Sequence, residues 1–281
     1  MNTTRSHTTK AGQPGARDPF GAHLRHWRTH RRLSQLDLAQ EAEVSTRHLS
    51  YVETGRAAPS RAMVLHLAEA LDVPLRERNT LLTAAGFAPL YRERTLDDPA
   101  LQAAREAVEL VLRAHEPHPA LAVDRHWNML AHNRPMLMLL DGIAPPLLQP
   151  PVNVLRLSLH PQGVAPKIVN LNAWRTHLFA RLRTQILASA DPVLVALLAE
   201  LQAYPGDDSP PGGEDWSAVA VPLRLRSAVG ELSFISTTTV FGTPVDITLS
   251  ELALETFFPA DAETTARLRR LGDGQAGQTA R

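Results

Sequence analysis

Between Phe20 and about Leu90, cap and breaker residues recur too often to leave room for a long helix, and no β-rich run intervenes. Only a cluster of short helices satisfies that rhythm. Leu24 and Trp27 share one face of a first helix, while Arg25, Arg28, Arg31 and Arg32 lie largely on others. Ser34, followed three residues later by Asp37, approximates a capping box and predicts a second helix over 35–42, with Leu38, Ala39 and Ala42 as its apolar face. Glu43-Val44 makes a tight turn, Ser45 caps a third helix, and Leu49 and Val52 are spaced to pack it on the second. Gly55 ends that helix, Pro59-Ser60 restart the chain, and Val64, Leu67, Ala68 and Leu71 line a fourth helix before a fifth near 75–85. Two short helices joined by a short turn describe a helix-turn-helix.

The run S-Q-x-x-L-A-x-x-A-x-V-S-x-x-x-L-S-x-x-E-x-G-R-x-x-P-S, from Ser34 to Ser60, resembles the five-helix DNA-binding domain of the Cro/C1-type, or XRE, regulators. The resemblance makes 45–54 the recognition helix, entering the major groove of double-stranded DNA from its N-terminal end at Ser45. It implies that Thr46, Arg47 and Tyr51 face base edges and that Gln35 and Arg56 hold phosphates. Arg47 is the most specific of these, because a guanidinium bonds bidentately to guanine. Elsewhere such arginines read as ordinary solvated surface. Residues 20–90 carry nine arginines against seven acids and no lysine. So small an excess binds DNA poorly at physiological salt, and a homodimer, which doubles the phosphate contacts, is the expected remedy. Arg5, Lys10 and Arg17 of the N-terminal arm could add to them.

The chain has 281 residues, 44% hydrophobic and 21% charged, which suits two soluble domains. It has no cysteine, which removes disulfides and thiol chemistry. No apolar run approaches the roughly 20 residues that cross a bilayer, so no membrane partner and a cytoplasmic location are expected. The expected class is α+β, divided into a disordered arm (1–19), the helix-turn-helix domain (20–90), a linker helix (91–118), a sheet domain (119–265) and a disordered tail (266–281). No P-loop, G-x-S-x-G elbow or H-E-x-x-H is present, so an enzyme is the weaker class and no cofactor is expected.

In the second region, Leu101, Arg105, Val108 and Leu112 have helical spacing. ALAVDRHWNMLAHN (120–133) reads as a hairpin, with His126, Asn128, Leu130 and His132 on one face and Trp127, Met129 and Ala131 on the other. Four histidines (115, 118, 126 and 132) fall here, but their spacing matches no metal motif, and a sheet with one wet edge is favoured. Helices are expected over 135–140, 152–160 and 171–188 and along DPVLVALLAELQAY, then a PGDDSPPGG loop (205–213) and strands over 219–226, 231–242 and 248–259.

Two strands, several helices and three more strands give the order of a PAS-type sensor, an antiparallel sheet with helices over one face. DRHWNMLAHN, NVLRLSLHP, NAWRTHLFARLR and GELSFISTTTVFGTPVDITLSELALETFFPAD resemble the ligand-binding domain of the MmyB-like transcription regulators. That resemblance implies a small apolar or fatty-acid-like ligand. Trp127, Leu155, Trp174, Leu178, Phe234 and Phe241 are candidates for its wall, although a plain core would use the same residues. Arg181 or Arg183 could pair with a carboxylate, a structural acid or water. A C-terminal domain that serves only for dimerisation or protein contact is the alternative.

Overall fold

The computed structural model describes residues 19–206 and 221–276. The chain divides into two compact units, Met1–Leu90 and Tyr91–Arg281. The sequence reading of 1–18 as a disordered arm, and all but the first two residues of the 205–213 loop, lie outside the described residues.

The first unit holds five helices: α1 (Pro19–His30), α2 (Gln35–Glu41), α3 (Thr46–Glu53), α4 (Arg61–Ala70) and α5 (Leu75–Ala84). Both bonds of the capping box form, Asp37 N–H to Ser34 Oγ at 3.1 Å and Ser34 N–H to Asp37 Oδ2 at 2.8 Å. Ser45 Oγ accepts from His48 N–H, and Ser60 Oγ from Met63 N–H, at the starts of α3 and α4. Between α2 and α3, Glu43 takes a left-handed φ of 49°, which makes the turn tight. Phe20, Leu24, Leu38, Leu49, Val64, Leu67 and Leu82 are fully covered at the centre.

In the second unit a 3₁₀ turn leads into α6 (Gln102–Ala114), followed by β1 (Ala120–Val123), β2 (Met129–His132), α7 (Arg134–Leu139), α8 (Val154–Leu159), α9 (Leu171–Ser189) and α10 (Pro192–Gln202). Beyond the undescribed segment come β3 (Leu223–Ser227), β4 (Gly230–Val240), α11 (Ile247–Ser250), β5 (Ala253–Pro259) and α12 (Ala262–Ala276). The five strands form one sheet in the order β2-β1-β5-β4-β3, antiparallel at every pairing. The fold class is α+β.

Strand alternation sorts β1 between two cores. Leu121 and Val123 join the large core with α8, α9 and α10, whereas Ala120 and Ala122 join Leu254 beneath Val108 and Leu112 of α6. The helix expected as a linker therefore covers the second face of the sheet. It does so because alanines on β1 leave room for its leucine and valine.

Three expectations need local correction. The turn read at 124–126 extends through 128, so Trp127 and Asn128 are not strand: Asp124 Oδ1 accepts from His126 and Asn128 N–H, both at 2.8 Å, and Trp127 has φ 68°. Where a strand was expected from 248, Asp246 accepts from Thr248 N–H at 3.0 Å and winds one helical turn before β5. The tail expected to be disordered from 266 is helical to Ala276. Asp261 caps α12 through Thr264 N–H at 2.6 Å, Thr264 Oγ1 accepts from Ser233 N–H at 3.0 Å, and Leu268 is buried in the core.

Candidate functional site

The first unit offers one face of α3. Arg47 is exposed in its first turn, and Tyr51, one turn on, is half-buried. Arg47 Nε donates to Tyr51 Oη at 3.0 Å, and its guanidinium lies 5.4 Å from the ring centroid. Arg56 approaches the same ring at 5.9 Å. Tyr51 thus holds two cations by their attraction to its ring and limits their rotamers before any partner arrives. Thr46 is half-buried and Ser45 exposed, the latter's oxygen engaged in the cap.

Gln35, at the start of α2, reaches the end of α3. Its side-chain amide donates to Glu53 Oε2 at 2.7 Å. Glu53 is the residue the sequence reading missed. Its carboxylate is fully covered and receives Arg28 Nε at 2.6 Å and Arg28 Nη2 at 3.2 Å, with Arg25 Nε at 3.6 Å. Arg28 Nη1 also donates to Leu33 O at 2.7 Å. Burial pushes the Glu53 carboxyl up, but the hydrogen bonds from Arg28 and Gln35 and the charges of Arg28 and Arg25 hold it below its ordinary value. One carboxylate therefore ties α1 and α2 to the end of α3. The visible signal was an acid immediately after the inward-facing Leu49 and Val52.

The second unit holds a partly open cavity of ≈ 90 Å³ between the sheet and α7, α8 and α9. Trp127, Leu155, Trp174, Leu178 and Arg181 all line it. Trp127 reaches the wall through its left-handed turn, and its indole N–H donates to Gln185 Oε1 at 2.6 Å. Phe234 lies one layer behind, edge-on to the wall residue Phe257 with centroids 6.3 Å apart. Phe241 packs against the other sheet face, in the α6 cluster, because the chain leaves β4 before it. Arg183 is exposed on α9 and does not line the cavity, since two residues along a helix turn a side chain well away.

Arg181 is already engaged. Its Nη1 and Nη2 donate to Glu255 Oε2 and Oε1 at 3.1 and 2.7 Å, and Nη2 also donates to Thr238 Oγ1 at 2.7 Å. Thr238 in turn donates to Glu255 Oε1 at 2.8 Å, and the guanidinium sits 4.8 Å from the Trp127 ring centroid. Of the partners open to Arg181 in the sequence, the one it meets is a structural acid, in an ion pair whose carboxylate side is buried and whose guanidinium side is a quarter exposed. Glu255 was missed; its signal was an acid inside an apolar strand. Trp174 donates to Ser158 Oγ at 3.0 Å and stacks on His177. Burial, then the Arg181 charge, push His177 below its ordinary pKa against the opposing pull of Glu255.

The histidines of the 120–133 stretch separate. His126 Nε2 lies 2.9 Å from Asp191 Oδ2, and His132 is exposed on the edge strand β2. Among the described residues, no three acids or histidines converge where a metal could sit. Outside the cavity, Leu139, Leu140, Val164 and Leu225 also wall a groove of ≈ 650 Å³, so one layer of side chains divides the two spaces.

Residues 104–271 match the family model described as the MmyB-like transcription regulator ligand binding domain, and residues 19–81 match a helix-turn-helix domain. No curated relative matches the chain. Among solved structures, the chain is similar to the crystal structure of the clp gene regulator ClgR from Corynebacterium glutamicum. That match has 28% identity, covers 38% of this chain and 99% of that one, and has a TM-score of 0.23.

Proposed function

This chain belongs to the family of MmyB-like transcription regulators, and on that basis we propose that it is a sequence-specific, ligand-responsive regulator of the XRE type. That it is a DNA-binding transcription regulator follows from its two domains. The observation that carries the finer reading is the pairing, in one chain, of an exposed Arg47–Tyr51–Arg56 face with an apolar cavity. In this reading Arg47 and Thr46 read base edges, while Arg56 and the start of α2 at Gln35 hold phosphates. The small charge excess of the first unit favours a homodimer on two half-sites. The sheet order, with helices between β2 and β3 over one face, supports a PAS-like sensor. A small apolar molecule in the cavity modulates DNA affinity to the extent that it distinguishes the DNA-competent state. No described helix is long and apolar enough to cross a membrane, which accords with a cytoplasmic regulator.

The test is selection of bound sequences from a random DNA pool, followed by native mass spectrometry of the purified chain with extraction of any retained molecule. Enrichment of a two-fold symmetric site and a retained small apolar compound are expected. A pool that stays random would overturn the DNA reading. A chain that retains nothing, and melts at one temperature across a panel of apolar compounds, would leave the second unit as a dimerisation module.

A further inference from the structure

The wall of the cavity carries few polar groups, and its two charges cancel. Arg181 spends both terminal nitrogens on Glu255, whose side chain is only 5% exposed, and Thr238 closes the triangle. A carboxylate entering here would place a second anion beside the buried Glu255 with one guanidinium between them, and that guanidinium is already neutralised. A cation would meet the same conflict with Arg181. What remains is hydroxyl chemistry. Ser158 Oγ already accepts from the Trp174 indole, so its proton is the group left to bond, and among the described residues no acceptor takes it. Ser236, also on the wall, is backbone-paired within the sheet, but its hydroxyl has no hydrogen-bond partner among the described residues. Two hydroxyl donors then face a space walled by Trp127, Trp174 and Phe257. At ≈ 90 Å³ that space falls short of the roughly 300–1,000 Å³ of most ligand pockets, which suits a compact ring better than an extended chain.

We propose that the cavity selects an uncharged, compact apolar molecule bearing a hydrogen-bond-accepting oxygen, such as a cyclic ketone or lactone, and rejects carboxylates. This rests on the cavity being the ligand site, as proposed above. Ser158 and Ser236 supply the donors to the oxygen, and the Arg181–Glu255 pair acts as the filter against charge. A carbonyl fits because its oxygen accepts from a hydroxyl of the wall, whereas a pure hydrocarbon leaves both hydroxyls unpaired.

The experiment titrates the full chain at neutral pH with cyclohexanone, methylcyclohexane and cyclohexanecarboxylate, using ligand-observed magnetic resonance and thermal shift. The ketone is expected to bind at least tenfold more tightly than the carboxylate. Ser158→Ala is expected to weaken the ketone about three- to tenfold, the size of one lost hydrogen bond, while leaving methylcyclohexane unchanged. Glu255→Gln leaves Arg181 without its counter-charge and is expected to admit the carboxylate. If that variant does not fold, the wild-type comparison and Ser158→Ala decide alone. Leu178→Trp fills the space and is expected to abolish all binding. A carboxylate that equals or exceeds the ketone on the wild type, yet is still lost in Leu178→Trp, overturns the filter while leaving the cavity as the ligand site. Binding that survives Leu178→Trp, or no binding by any probe, overturns both.

Discussion

Replacing Glu53 by Gln keeps the shape of the side chain and removes its charge. In the native unit that carboxylate receives Arg28 twice and Gln35 once with no exposed surface of its own, and the Arg28 side chain is 11% exposed. Removing one partner of a buried ion pair costs about 3–5 kcal/mol, because the other is left uncompensated. The lower end applies here, since Arg25 is half-exposed and water reaches the rim, so about 3 kcal/mol is expected. For a unit of this size that corresponds to a melting shift of roughly 12–24 °C. The wild-type contribution also depends on pH. The folded carboxyl is held below its unfolded value, so the stabilisation is complete at neutral pH and is lost as pH falls through the folded pKa. Glu53→Gln should abolish that acid-side loss. Hydrogen exchange of the α3 amides in the full chain, read by mass spectrometry from neutral to acid pH, reports the local opening free energy of the hub. If the variant protects α3 as well as the wild type at neutral pH, the carboxylate does not hold the three helices together and the argument fails.

Arg47→Ala should cost about 1–3 kcal/mol and relax preference at one position of each half-site, whereas Arg56→Ala should weaken all sequences alike and flatten the salt dependence. Fluorescence anisotropy on operator and scrambled duplexes separates these outcomes, and equal losses on both duplexes for Arg47→Ala would remove it from base readout. Leu182 is fully buried under the second unit's core, so Leu182→Ala should cost about 2–5 kcal/mol there. Calorimetry should then show the transition of the second unit lowered and that of the first unchanged; movement of both would mean that the units do not melt separately.

The sequence by itself determined the elements whose signals are local. The caps at Ser34, Ser45 and Ser60 lie within three residues of the amides they accept from, so the boundaries of α2, α3 and α4 could be read directly. The strand runs of β1 and β4 were legible from their apolar and β-branched composition and that of β3 from its alternation, and Asp191 before Pro192 marked the start of α10. Residues that line the cavity were legible as far as the helix periodicity of α9 reached, through Trp174, Leu178 and Arg181.

Tertiary structure decided which charges were already spent. Glu53 meets Arg28 across 25 positions and Arg181 meets Glu255 across 74, and no local pattern records pairings that only chain reversal brings together. For the same reason Arg181 and Arg183 were indistinguishable in sequence, although one is locked in an ion pair beside the cavity and the other is exposed. Phe234 and Phe241 were both plausible walls until the end of β4 put the second on the far side of the sheet. The helix α6 looked like a linker because amphipathic periodicity specifies a buried face but not the surface that buries it. That surface is supplied by Ala120 and Ala122, whose small side chains let α6 close on the sheet.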